Sequence, residues 1–318
     1  MNLENNKNNK LISLVFSFRN EEENLEALVK RTHDSLQKID GWEYEMIFVN
    51  DDSNDSSLEK LLSLQKNYKI RIINMSRTFG VFPCILAGFR NANGECLIYM
   101  DADLQDPPEL IPKMFEEYAK GNDVVHTIRT KRHGETFVKK IVSKIGYKII
   151  NSFSEINLPI ESGDFKLISR KALKFILAQK EFRPYVRGLS VWVGFKQAQV
   201  QYERESRFKG EAKFSTFSKG SILEFINGIT SFSLKPLYLG VILGFAAMLF
   251  SVILILYAFL AKFFNLSVPG SSGIIIAVSF FSGILLTNIG ILGIYVARIF
   301  EQVRGRSQYI IKNIIEPK

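Results

Sequence analysis

Two aspartates two residues apart follow an apolar run near the middle of the chain. The run Cys96–Met100 has the length and composition of a buried strand, and Asp101 and Asp103 come directly after it. In an extended chain, residues i and i+2 point the same way, so the two carboxylates are expected to share a face. Their repulsion favours a hard divalent cation between them, and Gln105 can add a carbonyl oxygen. The pattern predicts a metal site that also holds substrate phosphates, although such a pair can simply cap a turn.

Acidic residues also follow two earlier apolar runs. Leu11–Phe18 leads into the polar segment Arg19–Asn24, and Tyr44–Val49 leads into Asn50–Asp55. Helical periodicity between the runs predicts an α/β fold with a mostly parallel sheet and right-handed crossovers. Ligands bind beyond the carboxyl ends of strands in such sheets, so the three acidic segments are expected to meet there. Neither G-x-G-x-x-G nor the P-loop pattern occurs, which argues against dinucleotide-binding and P-loop folds.

The last third of the 318-residue chain contains two long uncharged stretches. Pro236–Ala261 and Phe263–Ala297 contain no charged residue, and Lys262 alone separates them. Each stretch exceeds the roughly 20 residues that a membrane-spanning helix needs. We therefore predict transmembrane helices at about 236–262 and 273–298, because a buried soluble helix pair rarely lacks polar residues over such lengths.

The charges that flank these stretches predict how the chain lies in a membrane. Lys235 precedes the first span, whereas Arg298, Arg304, Arg306 and Lys312 follow the second. By the positive-inside rule, both termini and the site are expected on the cytoplasmic side of a plasma membrane. The polar, Asn-rich start of the chain does not resemble a signal peptide. The net charge of +9 suits a protein held against anionic lipid.

Three basic or amphipathic segments lie between the acidic strand ends and the first span. The segment 138–153 has an apolar face crowded by lysines, which fits a helix on the membrane surface or against the core equally well. Cations between Arg204 and Lys213 suit a diphosphate clamp, although a solvated charge run is the more ordinary interpretation. Residues 214–233 have helical periodicity and are expected to form an interfacial helix.

Several of these motifs together resemble glycosyltransferase family 2, in particular the dolichol-phosphate mannose synthase branch and bacterial polyprenyl-phosphate glucosyltransferases. They occur in the family's order through the whole part of the chain before the spans. The matching segments are Asn20–Asn24, Val49–Ser53, Ser76–Gly80, Asp101–Leu110, Arg129–Arg132, Gly163–Leu167 and Arg207–Lys213.

The resemblance implies a GT-A fold and assigns roles to individual residues. Asp101, Asp103 and Gln105 would hold Mg²⁺ or Mn²⁺, and Asp103, Asp164 and Arg207 would be catalytic. Arg132 and Lys140 would receive the acceptor phosphate. The nucleotide sugar would be bound by Ser17, Arg19, Glu21, Val49, Asp51, Asp101, Ala102, Arg129 and Lys213.

The activity expected from this resemblance is inverting transfer of a hexose to a polyprenyl phosphate, undecaprenyl phosphate in bacteria. UDP-glucose is the expected donor, and GDP-mannose, UDP-N-acetylglucosamine or a UDP-aminoarabinose derivative are the alternatives. Asp164 would orient the acceptor or accept its proton, unless it only stabilises a turn. A processive polysaccharide synthase is disfavoured because no Gln-x-x-Arg-Trp string occurs. A non-catalytic membrane adaptor is disfavoured because the acidic and basic motifs are intact.

The expected domain organisation follows from these assignments. Residues 1–213 form a cytoplasmic catalytic domain, 214–233 a juxtamembrane helix, 234–300 the two transmembrane helices and 301–318 a cytoplasmic tail. Expected partners are a nucleotide sugar, a polyprenyl phosphate lipid and the membrane, with no nucleic acid. Gly240-x-x-x-Gly244 in the first span permits close helix contact, in a homo-oligomer or within the hairpin itself.

Overall fold

One mixed β-sheet organises the structure, a computed structural model that describes residues 10–132, 146, 148, 151–154, 156–159, 161–182, 184–204, 219–264 and 270–317. The order of the strands across the sheet is β7-β5-β6-β4-β1-β2-β3-β8. The strands are β1 (Leu11–Phe18), β2 (Glu43–Asn50), β3 (Ile70–Met75), β4 (Cys96–Asp101), β5 (Val124–Arg132), β6 (Ser162–Ser169), β7 (Gln197–Arg204) and β8 (Ile311–Ile315).

The centre of the sheet is parallel, which confirms the predicted α/β class. β1 pairs in parallel with β2 and with β4, and β2 pairs in parallel with β3. β6 and β8 run against their neighbours β4 and β3. The residues of β1 are buried except for the half-buried Leu11, as expected of a central strand covered on both faces. Ser17 is aligned with both Val49 and Asp101, so the three central strands end at one level.

Helices cover both faces of the sheet and form two cores. Successive residues of a strand point to opposite faces, so Phe16 stacks on Phe48 at 4.6 Å in one core while Val15 and Ile47 belong to the other. A 3-10 turn at Pro108–Leu110 precedes α4. The helices of this part are α1 (Leu25–Leu36), α2 (Ser57–Leu64), α3 (Val81–Asn91), α4 (Ile111–Ala119), α5 (Arg170–Ala178), α6 (Val186–Trp192) and α7 (Lys219–Thr230).

Two long apolar helices, α8 (Lys235–Phe263) and α9 (Gly270–Arg304), follow. Segments Lys235–Ala261 and Ile276–Arg304 are long and apolar enough to cross a membrane, and the most apolar stretch of each contains no buried residue. A Cβ atom at Gly240 would lie 2.7 Å from the Asn288 side-chain oxygen, so glycine there lets the two helices approach closely. Gly240 therefore serves packing within the hairpin.

The second long helix is hydrogen-bonded to the end of α7, to the segment that follows it and, near its own end, to the part of the chain that carries the sheet. The Arg298 guanidinium donates to the hydroxyls of Thr230 and Ser231, and the Tyr295 hydroxyl donates to the Ser233 carbonyl at 2.8 Å. Closer to the end of the helix, Gln302 donates to the Lys180 carbonyl. These contacts join the base of the apolar hairpin to the end of α7 and, through Lys180, to the sheet-bearing domain.

The chain beyond the hairpin returns to the sheet as β8. The sequence analysis assigned only a tail to residues 301–318, whereas Ile311–Ile315 pair antiparallel with β3. The side chain of Arg71 binds Glu316 at 2.8 Å, and the Ser76 amide donates to the Ile310 carbonyl at 2.9 Å. β8 therefore covers the edge that β3 would otherwise expose.

Candidate active site at the strand ends

The loops that follow β1, β2 and β4 each contain a residue in the left-handed backbone region. Asn20, Asp52 and Leu104 have φ angles of 53°, 58° and 57°. Such angles are uncommon outside glycine, and they cluster where a structure imposes a particular loop shape. Since the three strands end side by side, all three turns lie at the carboxyl ends of the central strands.

The first two of these loops are joined by direct hydrogen bonds. The Asn20 backbone amide donates to the Ser53 hydroxyl at 3.0 Å. The Asn20 side-chain amide donates to the Asn54 side-chain oxygen at 2.6 Å. The Glu21 amide donates to the Ser57 hydroxyl at 2.9 Å, and the Glu21 carboxylate accepts from the Asn24 side chain. Glu21 is therefore buried and held in place rather than extended into solvent.

Tyr99 connects β1 to the end of β4. Its hydroxyl donates to an Asp101 carboxylate oxygen at 2.6 Å and lies 2.9 Å from the Ser17 hydroxyl. Because the tyrosine proton is used for Asp101, Ser17 is the donor in the second bond. The sequence analysis missed Tyr99, although residues i and i+2 of a strand share a face and Tyr99 stands two residues before Asp101.

The carboxylates of Asp101 and Asp103 repel each other. Burial, together with the negative charges of Asp103 and Asp164, raises the pKa of Asp101 to about 7. Asp103 accepts a hydrogen bond from the Gln105 backbone amide at 3.2 Å, which stabilises the turn after β4. The two neighbouring carboxylates supply oxygen ligands of the kind that a hard divalent cation prefers. Within the described residues, no group of three His, Cys, Asp or Glu side chains forms a complete cage, so substrate oxygens would have to finish the coordination.

Asp51 binds the loop after β3 through both carboxylate oxygens. One accepts from the Phe79 amide at 2.7 Å and the other from the Gly80 amide at 2.9 Å. Gly80 has a φ of 97°, which side chains rarely tolerate. Asp51 thus joins the loops of β2 and β3 at the edge where the candidate metal ligands lie.

Asp164, at the start of β6, forms an ion pair with Arg187 of α6. Two guanidinium nitrogens contact its carboxylate, at 2.7 and 3.2 Å. Burial alone would raise the pKa of Asp164, but Arg187, with Lys166 and Arg129 nearby, lowers it to about 2. The same burial lowers the pKa of Lys166 to about 8, and the Lys166 ammonium donates to Ser190 at 3.1 Å. Asp164 is therefore fully ionised at neutral pH.

Arg129 lies in an ion-pair network that the sequence analysis did not foresee. Its guanidinium is 3.5 Å from both carboxylate oxygens of Asp106 and donates to the Tyr202 hydroxyl at 2.9 Å. Tyr202 also donates a short hydrogen bond to Asp106, and the Arg204 guanidinium lies 3.7 Å from the Asp106 carboxylate. Because Asp106 is buried, it needs these cationic partners. A role of Arg129 at the phosphates stays a prediction.

The other expected site residues are only partly placed by the structure. Val49 and Ala102 are buried at the strand ends, and Arg19 is exposed next to them. Arg132 ends β5, but its side chain lies outside the described residues. Lys140, Arg207 and Lys213 lie wholly outside them, as does most of the lysine-rich segment 138–153. The expected roles of these residues stay predictions.

Comparison with known proteins identifies the family. A model of glycosyl transferase family 2 matches residues 13–177. An uncharacterized glycosyltransferase of Synechocystis is 37% identical over 308 residues, covering 95% of each chain. A prophage bactoprenol glucosyl transferase homolog of Escherichia coli is 31% identical over 308 residues, covering 95% of this chain and 99% of its own. A crystal structure of glucosyl-3-phosphoglycerate synthase from Mycobacterium tuberculosis is similar with a TM-score of 0.48 at 17% identity, covering 69% of this chain and 80% of that chain.

The family match and the two relatives in sequence extend over the strand ends described above, and the relatives extend over the apolar hairpin as well. The expected GT-A fold, a largely parallel sheet flanked by helices, is confirmed. The chain belongs to glycosyltransferase family 2.

Proposed function

We propose that the protein transfers glucose from UDP-glucose to a polyprenyl phosphate at the cytoplasmic face of the membrane, with inversion at the anomeric carbon. The observation that carries this proposal is the similarity, over 95% of the chain, to a relative named for bactoprenol glucosyl transfer. A lipid acceptor also agrees with the two candidate membrane spans and with the hydrogen bond that joins the end of the second one to Lys180 of the sheet-bearing domain.

The pair Asp101 and Asp103 supports a divalent metal at the donor diphosphate. Both carboxylates, with Gln105, would hold Mg²⁺ or Mn²⁺, for which oxygen ligands are preferred. The bound cation would neutralise negative charge on the departing nucleoside diphosphate. Arg207 and Lys213 are proposed to add positive charge there. Tyr99 and Ser17 would keep Asp101 oriented, while Asp51 and Glu21 shape the loops that receive the nucleotide.

The acceptor needs little help to become a nucleophile. A phosphate monoester with a second pKa near 6 is largely a dianion at pH 7. A base with a pKa of about 2 accepts a proton poorly, so Asp164 is proposed to orient the acceptor through its partner Arg187 rather than deprotonate it. Arg132 and Lys140 are proposed to bind the lipid phosphate. Attack of its oxygen opposite the leaving diphosphate forms the new C–O bond, breaks the old one and inverts the anomeric centre.

The test offers a panel of labelled nucleotide sugars to membranes that contain the protein and undecaprenyl phosphate. Label is expected in the lipid fraction with UDP-glucose, and Asp103→Ala is expected to abolish it. Asp40→Ala removes an exposed acid elsewhere and is expected to retain turnover. Labelling by GDP-mannose, UDP-N-acetylglucosamine or a UDP-aminoarabinose derivative instead would replace the donor. Labelling by Asp103→Ala at the wild-type rate would exclude the metal role.

A further inference from the structure

Three asparagines form a hydrogen-bonded row across the sheet, from β2 through β3 to β8. The Asn50 side-chain amide donates to the Asn74 side-chain oxygen at 3.0 Å, and the Asn74 amide donates to the Asn313 oxygen at 3.0 Å. The three residues are direct partners in the strand register. The side-chain amide donors of Asn50 and Asn74 therefore both point towards β8.

The row ends at the loop that contains Asp51. The Asn50 side-chain oxygen accepts a 2.9 Å hydrogen bond from the Ser53 amide. This bond closes the turn over Asp51 and Asp52, the residue with a φ of 58°. Since Asp51 in turn binds the loop after β3, the position of both loops depends on how the Asn50 side chain is oriented.

Asn313 supplies the acceptor that fixes this orientation. Asn50 and Asn74 are buried, so leaving one of their side-chain amide hydrogens without an acceptor costs free energy. That cost favours rotation of the side chain. Rotation of Asn74 would withdraw the acceptor of Asn50, and rotation of Asn50 would release the Ser53 amide. The influence of Asn313 thus reaches the loop through two side chains.

The strand β8 does not itself depend on Asn313. Backbone pairing with β3, the ion pair of Arg71 with Glu316 and the half-buried side chains of Ile311 and Ile315 hold it in place. A substitution at Asn313 is therefore expected to change the hydrogen-bonded row while the strand stays docked.

We propose that Asn313 is a positioning residue for the donor-binding loop, acting through Asn74 and Asn50 on residues Asp51 to Ser53. The role of the loop in nucleotide binding rests on the proposed function, but its ordering by Asn313 does not. The chain segment that leaves the second apolar helix thereby sets the shape of the candidate nucleotide site.

The first measurement is hydrogen exchange of the nucleotide-free, full-length protein. In Asn313→Leu, the Ser53 amide is expected to exchange about five- to tenfold faster, as for loss of one hydrogen bond. Asn313→Asp keeps an oxygen for Asn74 and is expected to restore slow exchange. Lys312→Ala alters the exposed neighbouring position of β8 and is expected to behave as wild type. Unchanged exchange at Ser53, or equal acceleration throughout β2 and β3, would overturn the proposal.

The second measurement is the binding of UDP-glucose by the same variants. The dissociation constant is expected to rise about tenfold in Asn313→Leu, equivalent to about 1.4 kcal/mol, and to recover in Asn313→Asp. Turnover at saturating donor is expected to stay within about twofold of wild type, since the metal ligands are untouched. If wild type binds no UDP-glucose while Ser53 still responds to Asn313, the proposed donor fails and the positioning role stands. Equal affinity in wild type and Asn313→Leu would limit Asn313 to a structural role and overturn the proposal.

Discussion

Asp164 and Arg187 face each other in a two-pronged ion pair, with nitrogen–oxygen distances of 2.7 and 3.2 Å. Both side chains are largely covered, at 21% and 15% exposure, so neither charge is well solvated alone. The pair lies on β6 and α6. The negative charge of Asp164 helps to raise the pKa of Asp101, a candidate metal ligand.

Asp164→Asn is expected to destabilise the protein by about 3 kcal/mol, because it removes the carboxylate that faces the largely covered Arg187 charge. Adding Arg187→Gln is expected to recover part of this loss, since the double variant lacks both charges of the pair. Chemical unfolding of the two single variants and the double variant measures the coupling. Strictly additive losses would contradict a direct pair.

The same pair sets the pH behaviour of turnover. Because the pKa of Asp164 is about 2, its ionisation is complete well below neutral pH. No loss of kcat from this carboxylate is therefore expected between pH 8 and 5. If the acid limb of the wild-type kcat profile in that range disappears in Asp164→Asn, Asp164 is a titrating base after all.

Tyr99→Phe removes the hydroxyl that joins Ser17 to Asp101. A group that orients a metal ligand typically contributes 10- to 100-fold to affinity, so Mn²⁺ binding is expected to weaken by about tenfold. Tyr44→Phe is the matched control, because the Tyr44 hydroxyl is bonded to His33 instead. Titration of both variants with Mn²⁺ distinguishes them, and equal affinities would refute the orienting role of Tyr99.

Arg129→Gln is expected to cost about 3 kcal/mol, since it removes a cation that faces the buried Asp106. Asp106→Asn in the same chain removes the carboxylate that has lost this cation and is expected to restore part of the stability. Thermal unfolding of the single and double variants measures both effects.

The double variant Arg129→Gln/Asp106→Asn also separates the two roles of Arg129. If Arg129 meets the donor phosphates as predicted, UDP-glucose affinity stays low in this stabilised protein. Recovery of wild-type affinity would show that Arg129 acts through Asp106 alone.

His126 is expected to make stability depend on pH. It is buried and contacts Gln197 at 2.9 Å, and burial, with the charge of Lys166, lowers its pKa to about 4. The unfolded chain binds the proton near pH 6.5 and the folded chain only near pH 4. The contribution is therefore complete above pH 6.5 and is lost as pH falls to 4, by up to about 3 kcal/mol. His126→Gln is expected to reduce the dependence of the unfolding free energy on pH between pH 6.5 and 5. An unchanged dependence would contradict this assignment.

Local patterns were sufficient to predict the central strands and the hairpin. Leu11–Phe18 was predicted with the bounds observed, and Tyr44–Val49 lies one residue inside each end of β2, because each is an apolar run that ends in polar residues. The two candidate spans were visible in the same way, since uncharged stretches of this length are rare outside membrane-spanning helices.

Contacts between distant segments were not predictable in this way. Ile311–Ile315 is a short run whose strand state depends on pairing with β3, some 240 residues earlier. The extent of β5, to Arg132, depends on its parallel pairing with β7, some 70 residues later. The partner of Asp164 is Arg187, 23 residues away, and no local spacing indicates that pairing.

The return of the chain to β3 after the hairpin has a consequence for biosynthesis. Residues that complete the sheet are translated after both apolar helices, so a nascent domain has an open strand edge while the hairpin is made. At about 5–20 residues per second, this interval lasts on the order of ten seconds. An unpaired edge is a template for aggregation. Synthesis of the hairpin and closure of the sheet are thus consecutive steps of maturation, and a chain stalled between them exposes an unpaired strand edge.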